Sequence, residues 1–570
     1  MTQVSRRNVL AGAGLALAAG LTPARIASAD VGAYDVVVVG AGAAGMTAAL
    51  TAAKRGLKVV VIEKASVFGG SLARSGAAVW IPNNQVLLAA GVPDTPQKAA
   101  QYLAAVVGNG SSPERQQAFL VNGPKMISFV TANSPLRFRF MPGYSDYYPE
   151  LPGGMPNGRS IEPDVFDGTA LGAELANLNP PYLPVPAGMV VFGADYKWLN
   201  LAAVNVKGAA VAAECLARGT AAALAGQKPL TMGQSLAGAL RVGLAQAGVP
   251  VLLNTPLQDL LVENGRVAGV LTPQGPIRAT RGVIVGSGGF EHNAAMRAQY
   301  QRAPIGTEWT VGTRTNTGDG IQAGQRAGAA LALMDDAWWG PAIPLPDGPY
   351  FCLAERTLPG GLIINQAGQR FVNEAAPYSD VVHVMYDKNP TAPCIPSWMV
   401  VDQSYRNKYL FRDTLPALPL PDAWFASGAA VKAATVEGLA IAIGVPPSTL
   451  RATVNRFNGF AFTGRDLDFH RGDSAYDHYY TDPAVFPSSS LAALWLPPFY
   501  AFRIVPGDLG TKGGIVTDAR ARALRSDGTV IPGLYAAGNA SAAVMGHSYA
   551  GAGSTIGPAM TFGHIAANDI

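Results

Sequence analysis

The chain has 570 residues, of which 49% are apolar and only 14% are charged. This length and apolar content predict a globular protein of two or more domains and exclude a disordered one. The 66 glycines indicate many tight turns or close approaches of the backbone to a ligand. The three cysteines, Cys215, Cys352 and Cys394, lie far apart in the sequence, so they predict neither a disulfide framework nor a metal site.

The first 29 residues have the pattern of a twin-arginine export signal. Arg6 and Arg7 precede an apolar run from Val9 to Leu21 and a small-residue site at Ala27-Ser28-Ala29. The run is shorter than the ~20 residues that span a bilayer, so we expect cleavage, export to the periplasm or another extracytoplasmic space, and no stable membrane span. Cleavage would leave 39 lysines and arginines against 38 acidic residues, which argues against a nucleic-acid partner.

The segment from residue 34 to residue 63 predicts a strand, a helix and a second strand. YDVVVVG is typical of a buried strand, the alanine-rich AGAAGMTAALTAAKRG of a helix, and LKVVVIE of a strand that ends in Glu63. Gly40, Gly42 and Gly45 form a GxGxxG turn between the first strand and the helix. There the backbone can approach a pyrophosphate, while the Glu63 carboxylate accepts ribose hydroxyls. The pattern predicts a dinucleotide site, which either NAD or FAD would fit.

Further segments of small residues favour FAD and define the predicted architecture. FGGS and SGA, within residues 68–77, form a loop that can pass beside an isoalloxazine ring. RGVIVGSGGFEHN and GLYAAGN predict distant strands that complete a Rossmann sheet. We therefore predict an α/β fold, with a Rossmann-like FAD-binding domain of discontinuous segments at 30–306 and 490–570. An inserted α+β domain at 307–489 is predicted to cover the substrate.

These segments together resemble the flavoprotein family of fumarate reductases, succinate dehydrogenases and 3-ketosteroid dehydrogenases, and most of all the 3-ketosteroid Δ1-dehydrogenases. The similar stretches include GGSLARSGAAVWIPNN, NTGDGIQAG, GLIINQAGQRFVNE and GLYAAGNASAAVMGHSYAGAG, and they cover nearly the whole mature chain in order. The resemblance implies an FAD-dependent oxidoreductase that introduces a carbon–carbon double bond next to the ketone of a steroid-like substrate. Hydride would pass to flavin N5, and the sequence does not name the electron acceptor that follows.

The resemblance also indicates how the flavin is held. Ser71 and Leu72 stand where relatives with covalent flavin have a histidine, so noncovalent FAD is expected. The residues expected to contact FAD are Gly40, Gly42, Ala43, Ala44, Gly45, Glu63, Lys64, Gly69, Gly70, Ser71, Ser75, Gly76, Ala77, Gly288, Asp319, Gly538, Asn539, Ser554, Thr555 and Ile556.

The same resemblance implies a small apolar ketone near the flavin and argues against a dicarboxylate. Fumarate and succinate enzymes hold their dianion with two arginines and a histidine. This chain has Tyr378, the sequence GDLGTKGG and the surroundings of Tyr549 at the corresponding places. A buried dianion would be left unpaired there. Lys512 and His547 are the nearest candidate cations, and we expect them to face backbone or solvent.

A single tyrosine near the end of the chain is predicted to hold the substrate ketone. In 3-ketosteroid dehydrogenases a tyrosine hydroxyl and the backbone N–H of a glycine four residues later bind the C3 carbonyl oxygen, and Tyr549 and Gly553 match this pair. Two fixed donors in a dry pocket stabilise the enolate charge that develops when a proton leaves the neighbouring carbon. Ser554, Thr555 and Ile556 would open a helix whose positive end faces the flavin.

The general base is where the chain departs from the family pattern. The family's base tyrosine aligns with Phe371, which cannot accept a proton. The tyrosine that is hydrogen-bonded to the base aligns with Tyr147, with Tyr144 and Tyr148 as competing alignments. Tyr147 is our first candidate for the base, and a tyrosine base predicts activity that rises toward alkaline pH. The alternative candidates for the base are Tyr378 and Tyr350. The residues expected to line the substrate pocket are Phe371, Phe351, Tyr350 and Tyr378.

Three functions fit these residues. The first is the dehydrogenation of a 3-ketosteroid-like substrate. The second is a related flavoenzyme reaction, either at another ring position (Δ4) or in the reduction of an enone. The third is an exported, non-catalytic steroid- or flavin-binding protein that has lost its base. A binding protein would bleach its flavin only stoichiometrically with a ketosteroid, whereas an enzyme would recycle with an artificial acceptor.

Overall fold

The computed structural model describes residues 33–186 and 188–570. The predicted export signal therefore lies outside the described residues. Within the described ranges, no helix combines the length and the apolar character that crossing a bilayer requires.

The described residues form 21 strands and 16 α-helices. The strands are β1 (Tyr34–Val39), β2 (Val59–Ile62), β3 (Val79–Trp80), β4 (Phe138–Phe140), β5 (Ser160–Pro163), β6 (Phe166–Asp167), β7 (Pro229–Leu230), β8 (Val251–Leu252), β9 (Asp259–Glu263), β10 (Arg266–Thr272), β11 (Gly275–Val285), β12 (Leu331–Ala332), β13 (Ala337–Leu345), β14 (Gly348–Phe351), β15 (Gly361–Ile364), β16 (Ser397–Asp402), β17 (Ala430–Ala433), β18 (Phe499–Thr511), β19 (Gly514–Ile515), β20 (Arg522–Leu524) and β21 (Val530–Ala536). The α-helices are α1 (Ala43–Lys54), α2 (Gly70–Arg74), α3 (Gln85–Ala89), α4 (Pro96–Val107), α5 (Pro113–Asn133), α6 (Tyr196–Leu199), α7 (Val206–Leu224), α8 (Met232–Gln246), α9 (Ala294–Tyr300), α10 (Asp319–Arg326), α11 (Tyr378–Lys388), α12 (Gln403–Lys408), α13 (Asp422–Ala426), α14 (Val436–Ile443), α15 (Pro447–Thr463) and α16 (Ile556–Asp569).

A mainly parallel sheet carries the predicted dinucleotide-binding turn. β1 runs parallel to β2 on one side and to β11 on the other, with Val37 opposite Val60 and Val283. β21 extends the sheet beside β11, and β8 extends it beside β2. Val36 and Val38 face one hydrophobic core and Val37 faces another, as in a parallel sheet buried on both sides. The prediction that two distant segments complete a Rossmann sheet is confirmed.

Small residues bring α1 and α16 close to this sheet and to each other. A Cβ atom on Gly45 of α1 would lie 1.8 Å from the carbonyl oxygen of Gly40, so only glycine allows this approach of helix and strand. A Cβ atom on Gly563 of α16 would lie 2.4 Å from the carbonyl oxygen of Ala44. The N-terminus of α1 is thereby held directly beyond the end of β1.

The carboxyl ends of β1, β2, β11 and β21 meet at one edge of the sheet. Gly40 follows β1, Glu63 follows β2 and Gly286 follows β11. Ligands of open α/β sheets bind outside the carboxyl ends of the strands. This edge is therefore where the fold predicts a site.

A second, antiparallel sheet is formed by strands between residues 337 and 511, and this stretch is called the covering part of the chain below. Its strand order is β14-β13-β18-β16-β15, and β17 also pairs with β18. β18 comes from residues 499–511, beyond the predicted boundary at 489, and it is the strand that joins the others. The chain therefore returns to the second sheet before it completes the first. α11 packs against β13 and begins at Tyr378.

Candidate active site

A cavity of about 410 Å³ lies at the carboxyl ends of the parallel strands and extends to the second sheet. Its volume is in the range of small-molecule sites. The lining residues fall into two groups: glycines and other small residues at the strand ends, and tyrosines with apolar residues that include parts of the covering sheet. Among the described lining residues the charged ones are Glu63, Lys64, Arg74 and Asp319.

The turn after β1 leaves open space in front of a helix N-terminus. Gly40 has a φ of +100°, and a Cβ atom there would lie 2.6 Å from the carbonyl oxygen of Gly286. Gly42 is the N-cap of α1, has no side-chain cap, and would have nothing within 4 Å of an added Cβ atom. The first N–H groups of a helix lack intrahelical partners and carry a partial positive charge. This end of α1 therefore suits a diphosphate.

Glu63 places a buried carboxylate in the wall of the cavity. Its Oε2 accepts a hydrogen bond from the N–H of Ala41 at 2.9 Å, and its Oε1 accepts one from the N–H of Ala65 at 2.8 Å. Burial raises the pKa of Glu63, and these two N–H groups oppose that shift. The remaining lone pairs can accept hydrogen bonds from ribose hydroxyls, as the sequence predicts.

Lys64, the next residue, is bound to the opposite wall of the cavity. Its Nζ lies 2.7 Å from Oδ2 of Asp319, the first residue of α10, and 2.5 Å from the Thr317 hydroxyl. Ser71 accepts a hydrogen bond from Nδ2 of Asn316 at 3.1 Å. Segments that are about 250 residues apart in the sequence thus meet at the same ligand-sized space.

Most predicted cofactor contacts lie in the cavity wall. They are Gly40, Gly42, Ala43, Ala44, Glu63, Lys64, Gly70, Ser71, Ser75, Gly76, Ala77, Gly288, Asp319, Gly538, Asn539, Thr555 and Ile556. α16 begins at Ile556, and both Ile556 and its N-cap Thr555 line the cavity, so the positive end of this helix lies at the cavity.

Three predicted cofactor contacts lie outside the lining and have structural explanations. Gly45 is needed where α1 crosses β1, and Gly69, with a φ of +102°, would place a Cβ atom 2.6 Å from the Cβ of Ala73. Ser554 is fully buried and closes its own turn, because its hydroxyl accepts from the N–H of Gly551 at 2.9 Å and donates to its carbonyl oxygen at 2.8 Å. These three residues shape the walls without lining them.

Three buried tyrosines converge in the cavity. The hydroxyl of Tyr147 donates to the hydroxyl of Tyr378 at 3.0 Å. The ring centroid of Tyr549 lies 5.1 Å from that of Tyr147 and 5.2 Å from that of Tyr378. Each of the three is at most 4% exposed. One residue comes from the loop after β4, one from the start of α11 and one from the loop before α16.

Burial raises the pKa of all three phenols, but their neighbours differ. At Tyr378, the neighbouring Tyr549 and Tyr144 raise the pKa further, and the hydroxyl of Tyr147 opposes this rise, because a donated hydrogen bond favours the phenolate. The hydroxyls of Tyr378 and Thr555 and the N–H of Gly553 likewise oppose the rise in the pKa of Tyr549. Burial and the neighbouring tyrosines all raise the pKa of Tyr147. Tyr549 and Gly553 both line the cavity.

The loop that carries Tyr549 and Gly553 is fixed from several sides. Gly553 has a φ of +98°, and a Cβ atom there would lie 2.2 Å from the carbonyl oxygen of Ala78. The carbonyl oxygen of Ala550 accepts hydrogen bonds from the N–H of Tyr147 at 3.1 Å and from the hydroxyl of Tyr102 at 2.6 Å. This geometry requires glycine at 553 and ties the loop to the backbone beside Tyr147.

Phe371 does not line the cavity, contrary to the expectation from the sequence. It packs into the core of the covering part of the chain, and its carbonyl oxygen accepts a hydrogen bond from Nζ of Lys388 at 2.8 Å. Tyr378, seven residues later, occupies the cavity wall instead. The expectation that Phe371 lines the substrate pocket is therefore wrong, because the chain turns from the core to the cavity between these two residues.

Tyr350 and Phe351 both line the cavity as predicted. The hydroxyl of Tyr350 donates to the buried carboxylate of Glu355, so its proton is already committed. The ring of Phe351 contacts the ring of Tyr378 edge-on, with centroids 5.2 Å apart. Tyr350 is thus a poor candidate for a base that faces the other phenols.

Sequence reasoning missed two further aromatic residues of the lining, and it missed the ion pair of Lys512 with Asp336. Tyr144, Tyr182 and Tyr196 line the cavity, and no motif marks Tyr182 or Tyr196. Lys512 is fully buried, and its ammonium group donates to the carbonyl oxygens of His547 and Ser548. It faces backbone, as expected.

Known proteins resemble the chain over nearly its whole length. A family model for an FAD binding domain matches residues 35–556. The 3-oxosteroid 1-dehydrogenase of Mycolicibacterium smegmatis is 54% identical over 551 residues, which cover 94% of this chain and 97% of that protein. The 4-oxocyclohexanecarboxylate 2-dehydrogenase of Sinomonas cyclohexanicum is 36% identical, with 94% and 92% covered. A crystal structure of the 3-ketosteroid Δ1-dehydrogenase of Sterolibacterium denitrificans with 1,4-androstadiene-3,17-dione has a TM-score of 0.89 at 38% identity, covering 94% of this chain and 99% of that one.

The cofactor that the family model names also fits the site. The open N-terminus of α1 before Gly42 suits the diphosphate, and the buried carboxylate of Glu63 suits a ribose. The cavity continues from these residues to the three phenols. FAD is thus the cofactor of this chain. The chain belongs to the 3-ketosteroid Δ1-dehydrogenase family of FAD-dependent flavoproteins.

Proposed function

We propose that the chain uses FAD to introduce a double bond between C1 and C2 of a 3-ketosteroid. The observation that carries this proposal is the convergence of Tyr378 and Tyr549, whose ring centroids are 5.2 Å apart, in a cavity that Gly553 also lines. Removal of a proton next to a ketone requires an acceptor for the proton and donors for the oxygen. The names of the relatives above support the substrate class.

Tyr378 is the proposed base for the C2 proton, in place of our first candidate, Tyr147. The hydroxyl of Tyr147 donates a hydrogen bond to the hydroxyl of Tyr378 at 3.0 Å, and this hydrogen bond favours a phenolate on Tyr378. Tyr378 is also the first residue of the 11-residue helix α11, whose positive end favours a nearby anion. In this reaction Tyr147 orients the base and receives no substrate proton itself.

Tyr549 and Gly553 are the proposed clamp for the C3 carbonyl oxygen. As the proton leaves C2, negative charge grows on this oxygen, and two fixed donors in a buried site stabilise it. Bound FAD, held by the N-terminus of α1 and by Glu63, would supply the two-electron acceptor. The cation in the cavity wall other than Lys64 is Arg74, which lies over the Tyr182 ring at 5.8 Å. A neutral ketone therefore suits the phenols better than a dicarboxylate.

Anaerobic mixing of the holoenzyme with androst-4-ene-3,17-dione tests the proposal. We expect the flavin to bleach, to recycle when an artificial acceptor is added, and to yield a product two mass units lighter that is unsaturated at C1–C2. Fumarate, succinate and 4-oxocyclohexanecarboxylate are the charged comparison substrates, and we expect no turnover of them. Stoichiometric bleaching without recycling would indicate a binding protein. Androst-4-ene-3,17-dione already has the C4–C5 double bond, so the saturated analogue 5α-androstane-3,17-dione is tested beside it, and conversion of that analogue to a product unsaturated at C4–C5 would indicate the Δ4 reaction.

Noncovalent attachment of FAD is part of the proposal. Ser71 lines the cavity, and neither it nor Leu72 can form the histidyl bond of covalent flavoproteins. Acid denaturation should therefore release intact FAD into the supernatant. Flavin that stays with the precipitated protein would contradict this part of the proposal.

Export by the twin-arginine route is proposed from the sequence alone. Arg6 and Arg7, the apolar run after them and the Ala27-Ser28-Ala29 site support it. Replacement of both arginines by lysine should keep the protein in the cytoplasm. Continued appearance outside the cytoplasm would mean another route.

A further inference from the structure

A buried ion pair lies behind the phenols of the site. Asp336, just before β13, has a side chain that is 3% exposed, and Lys512, just after β18, has one that is fully buried. Lys512 Nζ lies 3.2 Å from Asp336 Oδ2, and the Lys512 N–H donates to the Asp336 carbonyl oxygen at 3.1 Å. Neither residue lines the cavity. Their effect on the site must therefore pass through other residues.

The Asp336 carboxylate connects three segments of the chain. Its Oδ1 accepts from Nε1 of Trp339 at 2.6 Å on β13 and lies 3.0 Å from Nε2 of His383 on α11. Its Oδ2 lies 3.0 Å from Nδ1 of His547 in the loop before Tyr549. One carboxylate thus joins the covering sheet, the helix of the proposed base and the loop of the oxygen clamp.

Lys512 fixes the backbone directly before Tyr549. Its ammonium group donates to the carbonyl oxygens of His547 at 2.7 Å and Ser548 at 3.1 Å, and its third partner is Asp336. An ammonium group has three protons, so each is used. Removal of the charge would leave the carbonyl oxygens of His547 and Ser548 without this donor, directly before Tyr549.

The same network fixes the start of α11. His383 lies five residues after Tyr378 on that helix, and the Ser379 hydroxyl donates to the carbonyl oxygen of Trp339 at 3.3 Å. Trp338 fills the space between the ion pair and the site: its ring centroid is 5.1 Å from that of Tyr549 and 4.9 Å from Lys512 Nζ. Displacement of the α11 contacts or of the Lys512 contacts would therefore change the distance between Tyr378 and Tyr549.

We propose that Asp336 and Lys512 are positioning residues that hold Tyr378 and Tyr549 at the separation that proton removal requires. This inference rests on the function proposed above. Reacting groups must be placed to within a fraction of an ångström, and a small displacement by a remote change lowers the rate strongly. The pair acts on the chemical step, and Trp338 also links it to one of the expected FAD contacts, because Nε1 of Trp338 donates to Oδ1 of Asn539 at 3.0 Å.

The test is single-turnover flavin reduction by androst-4-ene-3,17-dione in the holoenzyme of Lys512→Met. We expect the rate constant to fall by about tenfold or more, while the bleached fraction of the bound FAD and the substrate Kd stay within about twofold of the parent values. A merely structural role would lower the active fraction and leave the rate constant of the folded molecules unchanged. In the double variant D336N/K512M, which removes both charges, we expect the thermal midpoint to recover and the rate constant to remain low.

The matched control is Asp466→Asn, which breaks a buried ion pair to Arg370 outside the cavity lining. It should lower the thermal midpoint with an unchanged rate constant. If Lys512→Met does not fold, His383→Ala removes only the link to α11 at a side chain that is 28% exposed, and we expect a rate constant at least about threefold lower. A parent-like rate constant in either folded variant overturns the inference alone. A parent enzyme that the ketosteroid does not reduce overturns the proposed function, and this inference with it.

Discussion

At the scale of single residues, the Tyr549 hydroxyl is the group on which the proposed chemistry depends most directly. Tyr549 is buried, and its ring is held by those of Tyr147, Tyr378 and Trp338. Tyr549→Phe should keep the packing and the FAD content. Loss of one donor to the developing enolate should cost about 2 to 4 kcal/mol, or roughly 30-fold to 1,000-fold in kcat.

Steady-state kinetics with an artificial acceptor, normalised to bound FAD, measure this effect. Tyr535→Phe is the matched control, because it deletes a hydroxyl that donates to Asp569 outside the cavity. The clamp assignment fails if both variants turn over like the parent. It also fails if Tyr549→Phe has lost its FAD, since the hydroxyl would then support cofactor binding.

The pH dependence of the reaction follows from the burial of Tyr378. Burial raises the pKa of Tyr378 well above its ordinary value of about 10, and the Tyr147 hydroxyl only partly opposes this. The active form is the phenolate, so its fraction should grow about tenfold with each pH unit below that pKa. Stopped-flow flavin reduction should therefore accelerate steadily from pH 7 into the alkaline range.

Variants that lack the hydroxyl of Tyr147 or of Tyr350 test this pH dependence against the parent enzyme. Tyr147→Phe removes the hydrogen bond at 3.0 Å and should slow reduction at each pH while the rise continues to higher pH. Tyr350→Phe alters a cavity hydroxyl committed to Glu355 and should leave the slope of the profile unchanged. A rate that is flat with pH in the parent would exclude Tyr378 as the base.

The places of Tyr549 and Gly553 in the cavity wall could be predicted from the sequence, whereas the choice between Phe371 and Tyr378 could not. Tyr549 and Gly553 lie in a run of small residues whose spacing is itself the signal, and the φ of +98° at Gly553 explains why the run needs glycine. Phe371 and Tyr378 both follow β15 within one irregular segment. No local pattern says which of them turns into the core and which reaches the cavity. That choice depends on α11, which packs against a sheet assembled from distant strands.

At the scale of elements, α1 and α16 are joined by a buried histidine. His564 Nδ1 lies 3.0 Å from the Thr51 hydroxyl, and that hydroxyl donates to the Thr47 carbonyl oxygen, so Nδ1 carries the proton. His564 Nε2 lies 3.0 Å from Nδ2 of Asn568 and accepts a hydrogen bond from it. The network is complete with a neutral ring. A proton added at Nε2 would point at Nδ2 of Asn568, which is itself a donor, so this hydrogen bond would be lost.

This arrangement predicts acid-sensitive stability. Burial lowers the pKa of His564 to about 4, with a smaller contribution from Lys125. The unfolded chain binds a proton near pH 6.5 and the folded chain does not until about pH 4, so stability is lost as the pH falls between these values. Between pH 7 and pH 5 the loss should be about 2 kcal/mol.

Thermal midpoints at pH 7 and pH 5 measure this loss. In His564→Gln the difference between the two pH values should be smaller than in the parent, because no group titrates at this position. His470→Gln changes a histidine whose side chain is 72% exposed and should behave like the parent. If parent and His564→Gln lose stability in parallel, the histidine is not the acid-sensitive group.

Elements of the first sheet were predictable because each one carries its own signal. Valine runs mark β1 and β2, and glycines mark the turn between β1 and α1. The second sheet lacks such local signals. β18 pairs with β13, β16 and β17, which are separated from it by up to about 160 residues, so the sequence boundary at 489 falls before the strand that joins the others. Long-range pairing of this kind is set by the shared core and not by propensity.

At the scale of the whole molecule, the cavity couples the two sheets. Its wall combines Gly40 and Glu63 at the ends of the parallel strands with Tyr350 and Tyr378 from the covering part of the chain. A ligand that contacts both parts binds the folded chain and not the unfolded one. Its binding must therefore raise the stability of the assembled molecule.

FAD added to the flavin-free protein should raise its thermal midpoint more than NAD does. At a free concentration 100 times its Kd, FAD should stabilise the folded state by about 2.7 kcal/mol. NAD shares the diphosphate and the ribose that the α1 N-terminus and Glu63 recognise. In place of the three-ring isoalloxazine that would reach toward Tyr549, it has only the smaller nicotinamide ring. Glu63→Gln separates the two parts of the site: it should weaken retention of FAD, because the ribose loses a charged acceptor, and leave turnover per bound FAD near the parent value. Equal stabilisation by NAD and FAD would mean that the cofactor contacts end at the strand edge and that the aromatic wall binds another molecule.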